Sequence, residues 1–230
     1  MLHIKHYNSA ILTNINFHIK ENENIVILGS NGAGKSTLAK VACGIIPSNT
    51  VELFGEKLEN LSAKKRAELI NYIPPKLEVF DEYISLREYL ELSRLYSSLS
   101  VEEVLALLNL EALAEKPCKT LSSGEQQLTM LASSILHHAK LSIFDEPTAN
   151  LDPKKTLQVY EILKSEKLQN RVVITHDLNL AHKLGYKILY IQNGVIEFFN
   201  ENEHFFERSN LEHFFGESIK QIDRHFVVNL

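Results

Sequence analysis

The sequence predicts an α/β fold with a mostly parallel sheet and an inserted helical segment. Three observations point there. Short β-rich apolar runs, such as residues 25–28 and 141–144, alternate along the chain with stretches patterned as helices. A glycine-rich turn joins the first of those runs to a helix. Between Pro75 and about Ala132 the strand pattern gives way to helical spacing, with Leu86, Leu90, Leu95, Val104, Leu105, Leu107 and Leu108 prominent.

Taken in order, residues 11–19 form a strand region preceded by Tyr7, and residues 25–28 (Ile-Val-Ile-Leu) read as a buried strand. Gly29, Ser30, Asn31, Gly32, Ala33, Gly34, Lys35, Ser36 and Thr37 follow, then Leu38, Ala39, Val41 and Ala42 at helical spacing. Strand, GxxxxGK[ST] and helix in this order predict a phosphate-binding loop. Glycines let the backbone wrap a phosphate with its N–H groups, and the helix points its positive end at the same anion. Lys35 is placed to reach the β- and γ-phosphates, and the Ser36 hydroxyl to ligate magnesium. A glycine-rich turn before a helix is the plain alternative.

Residues 121–127 (Leu-Ser-Ser-Gly-Glu-Gln-Gln) come next in weight. Ser122 and Ser123 are good N-caps, and Leu128, Leu131, Ala132, Ile135 and Leu136 give the following helix an apolar stripe. Its N-terminus is a second anion site, although an ordinary capped helix reads the same way. Residues 141–147 form an apolar strand ending in Asp145, Glu146 and Pro147. Asp145 is placed to hold magnesium, and Glu146 to orient the attacking water or take its proton. Residues 175–177 (Thr-His-Asp) end another apolar run. Residues 186–191 and 195–199 predict a hairpin across Asn193-Gly194, and residues 226–228 a last strand.

Over essentially its whole length the chain resembles the ATPases of ATP-binding cassette (ABC) transporters. Residues 29–37 resemble Walker A, 121–127 the ABC signature, 141–146 Walker B, and 149–152 the D-loop with Asp152. His176 stands where the switch histidine stands, and Tyr7 is placed like the aromatic residue that stacks on adenine. The resemblance implies a P-loop NTPase (RecA-like) core with an N-terminal antiparallel β region. The helical subdomain would span about residues 76–132, and the core about 1–75 and 133–230. It also implies Mg2+ and ATP as cofactors, with Lys35, Glu146 and His176 catalytic and Ser36 and Asp145 on the metal. Nucleotide contacts would come from Tyr7, from Gly29 through Thr37, from Ser122, Ser123, Gly124 and Glu125, and from Asp152. The implied assembly is a head-to-tail homodimer with ATP between protomers, Ser122 and Gly124 of one chain facing Lys35 of the other. Membrane permease subunits would meet the helical subdomain, and a substrate-binding protein would act indirectly.

Two positions depart from the family pattern. Ser123 replaces the first glycine of the signature. Pro75, in Tyr72-Ile73-Pro74-Pro75, stands where the family places a glutamine that contacts magnesium and water. Proline offers no amide and no N–H, so slower or less coupled hydrolysis is expected, with ATP binding retained. Residues 175–181 and 209–216 are similar to importer ATPases for iron-siderophore, haem and vitamin B12 uptake. Three readings stay open: an import ATPase, an ABC ATPase for export or a soluble assembly task, and a cassette that binds ATP as a dimerisation switch with little turnover.

Composition agrees. At 230 residues and 44% hydrophobic, the chain can bury one sizeable core. Its formal net charge of -5 and lack of a long basic run argue against a nucleic-acid surface. No apolar run approaches a bilayer span, and the N-terminus lacks the apolar region of a signal peptide. A cytoplasmic protein, peripheral at the inner face of the membrane, is expected. Cys43 and Cys118 read as reduced thiols, and the pair His137-His138 as a helix end.

Overall fold

Strands and helices alternate as the apolar patterning requires. The computed structural model describes residues 1–223 and 225–229. The chain begins with β1 (Leu2–Tyr7), β2 (Ile15–Ile19), β3 (Ile25–Gly29), α1 (Lys35–Ala42), β4 (Val51–Leu53) and β5 (Glu56–Lys57). It continues with α2 (Ala63–Leu69), β6 (Ile70–Ile73), α3 (Leu86–Ser93), α4 (Val101–Leu108), α5 (Ser123–His137) and β7 (Leu141–Asp145). Then come α6 (Pro153–Lys164), β8 (Asn170–Thr175), α7 (Leu178–Leu184), β9 (Lys187–Gln192) and β10 (Val195–Asn200). Short helices α8 (Asn202–Phe205) and α9 (Arg208–Phe215) and the strands β11 (Ile219–Ile222) and β12 (His225–Val228) close the chain.

Six strands form the central sheet in the order β10-β9-β3-β8-β7-β6. All neighbours are parallel except β10, which returns antiparallel to β9 across Asn193-Gly194, both at positive φ. β3, β7 and β8 are buried throughout because the sheet is covered on both faces. Alternation then divides one strand between two cores. Val26 and Leu28 join the core that includes Leu86, Leu131 and Phe205, whereas Ile25 and Ile27 join the core shared with Leu2, Ile15, Leu38 and Val41. A four-stranded antiparallel sheet, β2-β1-β4-β5, supplies much of that second core.

Helix starts in the middle of the chain follow one device. Ser85, Ser100 and Ser122 each accept a hydrogen bond from the backbone N–H three residues on, and Glu88, Glu103 and Glu125 bond back to the serine N–H. Those capping bonds hold the three carboxyls below the usual range, the serine N–H being the largest cause. α5 packs on α3 and α4 and also on β6, so it runs through the expected boundary near residue 132 and belongs to both regions. It ends at His137, with His138 left-handed behind it. Both cysteines are free and buried, and burial pushes the Cys118 thiol up to about 11. No helix among the described residues is long and apolar enough to cross a membrane.

Candidate functional site

The phosphate-loop residues lie where β3 hands over to α1. Gly34 is the N-cap of α1 at φ 100°, a conformation that disfavours a side chain. A Cβ there would also come within 2.4 Å of Leu12 Cδ2. At Gly29 a Cβ would lie 2.4 Å from the Ile191 carbonyl oxygen of β9, so the loop presses against its neighbour strand. Lys35 is 6% exposed. Its Nζ donates to the Gly29 and Ser30 carbonyls at 2.7 and 3.0 Å, which leaves one N–H of the ammonium for an anion. Burial lowers the Lys35 pKa, and the nearby Glu146 and Asp145 carboxylates oppose that shift. Ser30, Asn31, Gly32 and Ser36 are exposed around it, with Thr37 half-buried and Ala33 buried.

The acidic pair arrives from β7, next to β8, which is next to β3. The site therefore sits at the C-terminal edge of a parallel sheet, where strand ends and helix starts converge. Asp145 is 1% exposed. Its Oδ2 accepts the Tyr72 hydroxyl from β6 at 2.8 Å, while Oδ1 is buried with no partner. A buried carboxylate oxygen left free in this way suits a cation, so Asp145 fits a magnesium ligand. Burial and the Asp145 carboxylate raise the Tyr72 pKa, so its hydroxyl remains the donor. Glu146 turns out of the strand at φ 51°. His176 Nδ1 stands 2.9 Å from Glu146 Oε1, and Thr175 Oγ1 donates to Oε2 at 3.4 Å. With a carboxylate as acceptor, the His176 proton belongs on Nδ1. The Glu146 backbone is fixed as well: its N–H donates to Ile174 O, and its carbonyl accepts Gln127 Nε2 at 2.9 Å.

Lys35, Asp145, Glu146 and His176 are thus brought together at one end of the sheet. A family model described as ABC transporter matches residues 12–149. The chain belongs to this family. It is an ATP-binding ATPase domain of the ABC type. It is 36% identical over 199 residues to an uncharacterised ABC transporter ATP-binding protein, MJ0089, of Methanocaldococcus jannaschii, covering 81% of this chain and 78% of that one. It is 31% identical over 185 residues to the zinc import ATP-binding protein ZnuC of Buchnera aphidicola subsp. Schizaphis graminum, covering 78% and 74% of the two chains. A solved dimer of the ATP-binding cassette MJ0796, bound to ADP and Pi in a post-hydrolysis state, superposes with a TM-score of 0.70 at 25% identity, covering 88% of this chain and 99% of that one.

Ser122, Ser123, Gly124 and Glu125 lie at the start of α5, and Asp152 at the start of α6. Ser122 and Glu125 bond to each other's backbone at the start of α5, and Glu125 also accepts Lys116 Nζ at 3.3 Å. Ser123 is the first residue of α5, and Gly124 is buried against Lys155, whose Nζ would lie 2.7 Å from a Cβ there. Asp152 N-caps α6 by accepting the Lys155 N–H at 3.0 Å, which lowers its pKa.

Tyr7 differs from its expected setting. It is only 8% exposed and belongs to the buried cluster with Ile15 and Phe17, so its ring offers little surface to a base. The cause is local. The register of β1 against β2 shifts between Ile4 and Tyr7, and His6 takes φ 51°. The bulge turns Tyr7 inward where strict alternation would turn it out. Gln127 and Tyr72, which lie inside the segments quoted from the sequence but had no role assigned there, hold the acidic pair from a helix and from a neighbouring strand.

Proposed function

We propose that this ABC domain hydrolyses magnesium–ATP to drive import through a separate membrane permease, with a metal ion or metal chelate as cargo. The observation that carries the reading is the Lys35–Asp145–Glu146–His176 cluster at the edge of β3, β7 and β8. In this reading Lys35 and the loop N–H groups bind the β- and γ-phosphates. Glu146, oriented by His176 and Thr175, accepts the proton of the attacking water. Asp145 and Ser36 hold magnesium, which would neutralise charge on the phosphates.

Two chains would complete the site, Ser122 and Gly124 of one facing the loop of the other. The dimeric form of the MJ0796 cassette supports this arrangement. The permease would cover the apolar side chains left exposed beside the helical segment, among them Phe80, Tyr83, Leu92 and Leu95. The zinc-import relative supports a metal-containing cargo. Of the chemically related cargoes, iron-siderophore, haem and cobalamin come from the resemblance at residues 175–181. A substrate-binding protein outside the membrane and a cytoplasmic location for this chain belong to the same proposal.

Single-turnover hydrolysis by the purified chain tests the chemistry. Phosphate release that requires magnesium supports it, and ATP bound but never cleaved favours the dimerisation switch that Pro75 suggests. Deleting the gene and following uptake of zinc, ferric siderophore, haem and cobalamin tests the import half. Unchanged uptake of all four overturns it.

A further inference from the structure

We propose that Tyr72 is a positioning residue for the metal-binding carboxylate, its hydroxyl fixing the Asp145 side chain so that one oxygen is held for magnesium. The proposal rests on reading the site as a magnesium–ATP site.

Its basis is register. On the parallel pair β6/β7, Tyr72 pairs with Ile143, so Tyr72, Ile143 and Asp145 share one face of the sheet. Asp145 lies two residues further along its strand, a diagonal reach that a phenol spans and shorter side chains do not. The result is the 2.8 Å bond from the Tyr72 hydroxyl to Asp145 Oδ2. A lone aspartate turns easily about its last torsion, which has two nearly equivalent positions. One donor on one oxygen breaks that equivalence. A hydroxyl-to-carboxylate bond is also among the stronger hydrogen bonds. Asp145 Oδ1, buried and unpartnered, is the oxygen left over.

The setting gives Tyr72 added weight. Pro75 is the third residue after Tyr72, just beyond the end of β6, where the family pattern places its metal-contacting glutamine. Proline cannot make that contact. The link from β6 to the metal-binding carboxylate that this structure does contain runs through Tyr72. A purely structural buried pair would lower stability when broken and leave metal affinity alone, which separates the two roles.

The test compares the full-length parent, Tyr72→Phe, Asp145→Asn and the double variant. Binding of a fluorescent ATP analogue is measured in EDTA and across a magnesium titration, with thermal midpoints alongside. For Tyr72→Phe, magnesium-free nucleotide affinity should match the parent, and the magnesium concentration giving half the effect should rise about tenfold, the scale of one hydrogen bond to a charged group. In the Asp145→Asn background, Tyr72→Phe should add nothing further. An unchanged magnesium titration overturns the proposal. So does a shift that persists without the Asp145 carboxylate. A loss of magnesium-free affinity or thermal midpoint that accounts for the whole change assigns Tyr72 to packing and overturns it too. The parent distinguishes the two levels of failure. If its nucleotide binding ignores magnesium, the magnesium–ATP reading itself is wrong. If it responds and Tyr72→Phe responds identically, only the role of Tyr72 is wrong.

Discussion

Replacing Glu146 by glutamine separates binding from chemistry at this site. The substitution keeps the shape of a side chain held on both sides by His176 and Thr175, at 2.9 and 3.4 Å. It also leaves intact the backbone bonds to Ile174 and Gln127. What is lost is the ability to take a proton and one negative charge beside Lys35. Removing a positioned general base costs on the order of 10²–10⁴ in rate. That corresponds to about 2.7–5.4 kcal/mol of barrier. The lost charge acts in the other direction on binding, because Glu146 faces the same ammonium that receives the phosphates. ATP affinity of Glu146→Gln should therefore equal or exceed that of the parent. Phosphate release at saturating magnesium–ATP reads the first quantity, a fluorescent-nucleotide titration the second, and size exclusion with ATP the longer-lived dimer. Turnover within about threefold of the parent would show that another group is the base. His176, the nearest titratable partner, would then be the next residue to replace.

Lys35→Ala removes the buried side-chain cation of the glycine-rich loop and should abolish or severely weaken ATP binding; an unchanged binding isotherm would sink the phosphate-loop assignment. Pro75→Gln should raise magnesium-dependent turnover with ATP affinity little changed, since it restores an amide just beyond β6; equal or lower turnover would mean the site does not lack it. Phe205 is fully buried and stacks on Phe214 at 5.5 Å between ring centroids. Its truncation to alanine should cost about 3–5 kcal/mol and lower the thermal midpoint by roughly 10 °C. A fall of less than about 2 °C by circular dichroism would show that the C-terminal aromatic cluster contributes little.

What could be read from sequence divides along a physical line. The turn around Lys35 was legible because a backbone wrapped on an anion needs glycine at fixed spacing, and Gly34 at φ 100° meets that need. The β9–β10 hairpin was legible for the same reason, Asn193-Gly194 being a turn that tolerates positive φ at both positions. Asp145 and Glu146 alone read equally as an acidic pair capping a strand before the Pro147 turn, and they stood out only because the same chain carries a phosphate-binding loop. Contacts set by register were not legible. Tyr72 and Asp145 are 73 residues apart, and only the pairing of Tyr72 with Ile143 places one beside the other. Gln127 reaches Glu146 for a comparable reason, since α5 must pack on β6 before its inward face meets the end of β7.

Tyr7 shows the same limit from the other side. Its sequence position suggested a free aromatic face, and one bulge after Ile4 reversed the direction of the ring. A bulge leaves no fixed residue signature, because any of several residues can absorb the extra position, here His6 at φ 51°. The same reasoning bears on Pro75. Sequence comparison searches position 75 for an amide and finds none. The structure supplies a donor to the Asp145 carboxylate three residues earlier, from a strand position whose side-chain direction is fixed by β6/β7 pairing. If that donor already orders Asp145, then glutamine at position 75 would act on the water and not on the carboxylate. Pro75→Gln should then raise turnover without moving the magnesium titration, whereas Tyr72→Phe should move the titration first. Equal magnesium shifts in the two variants would contradict that division of labour.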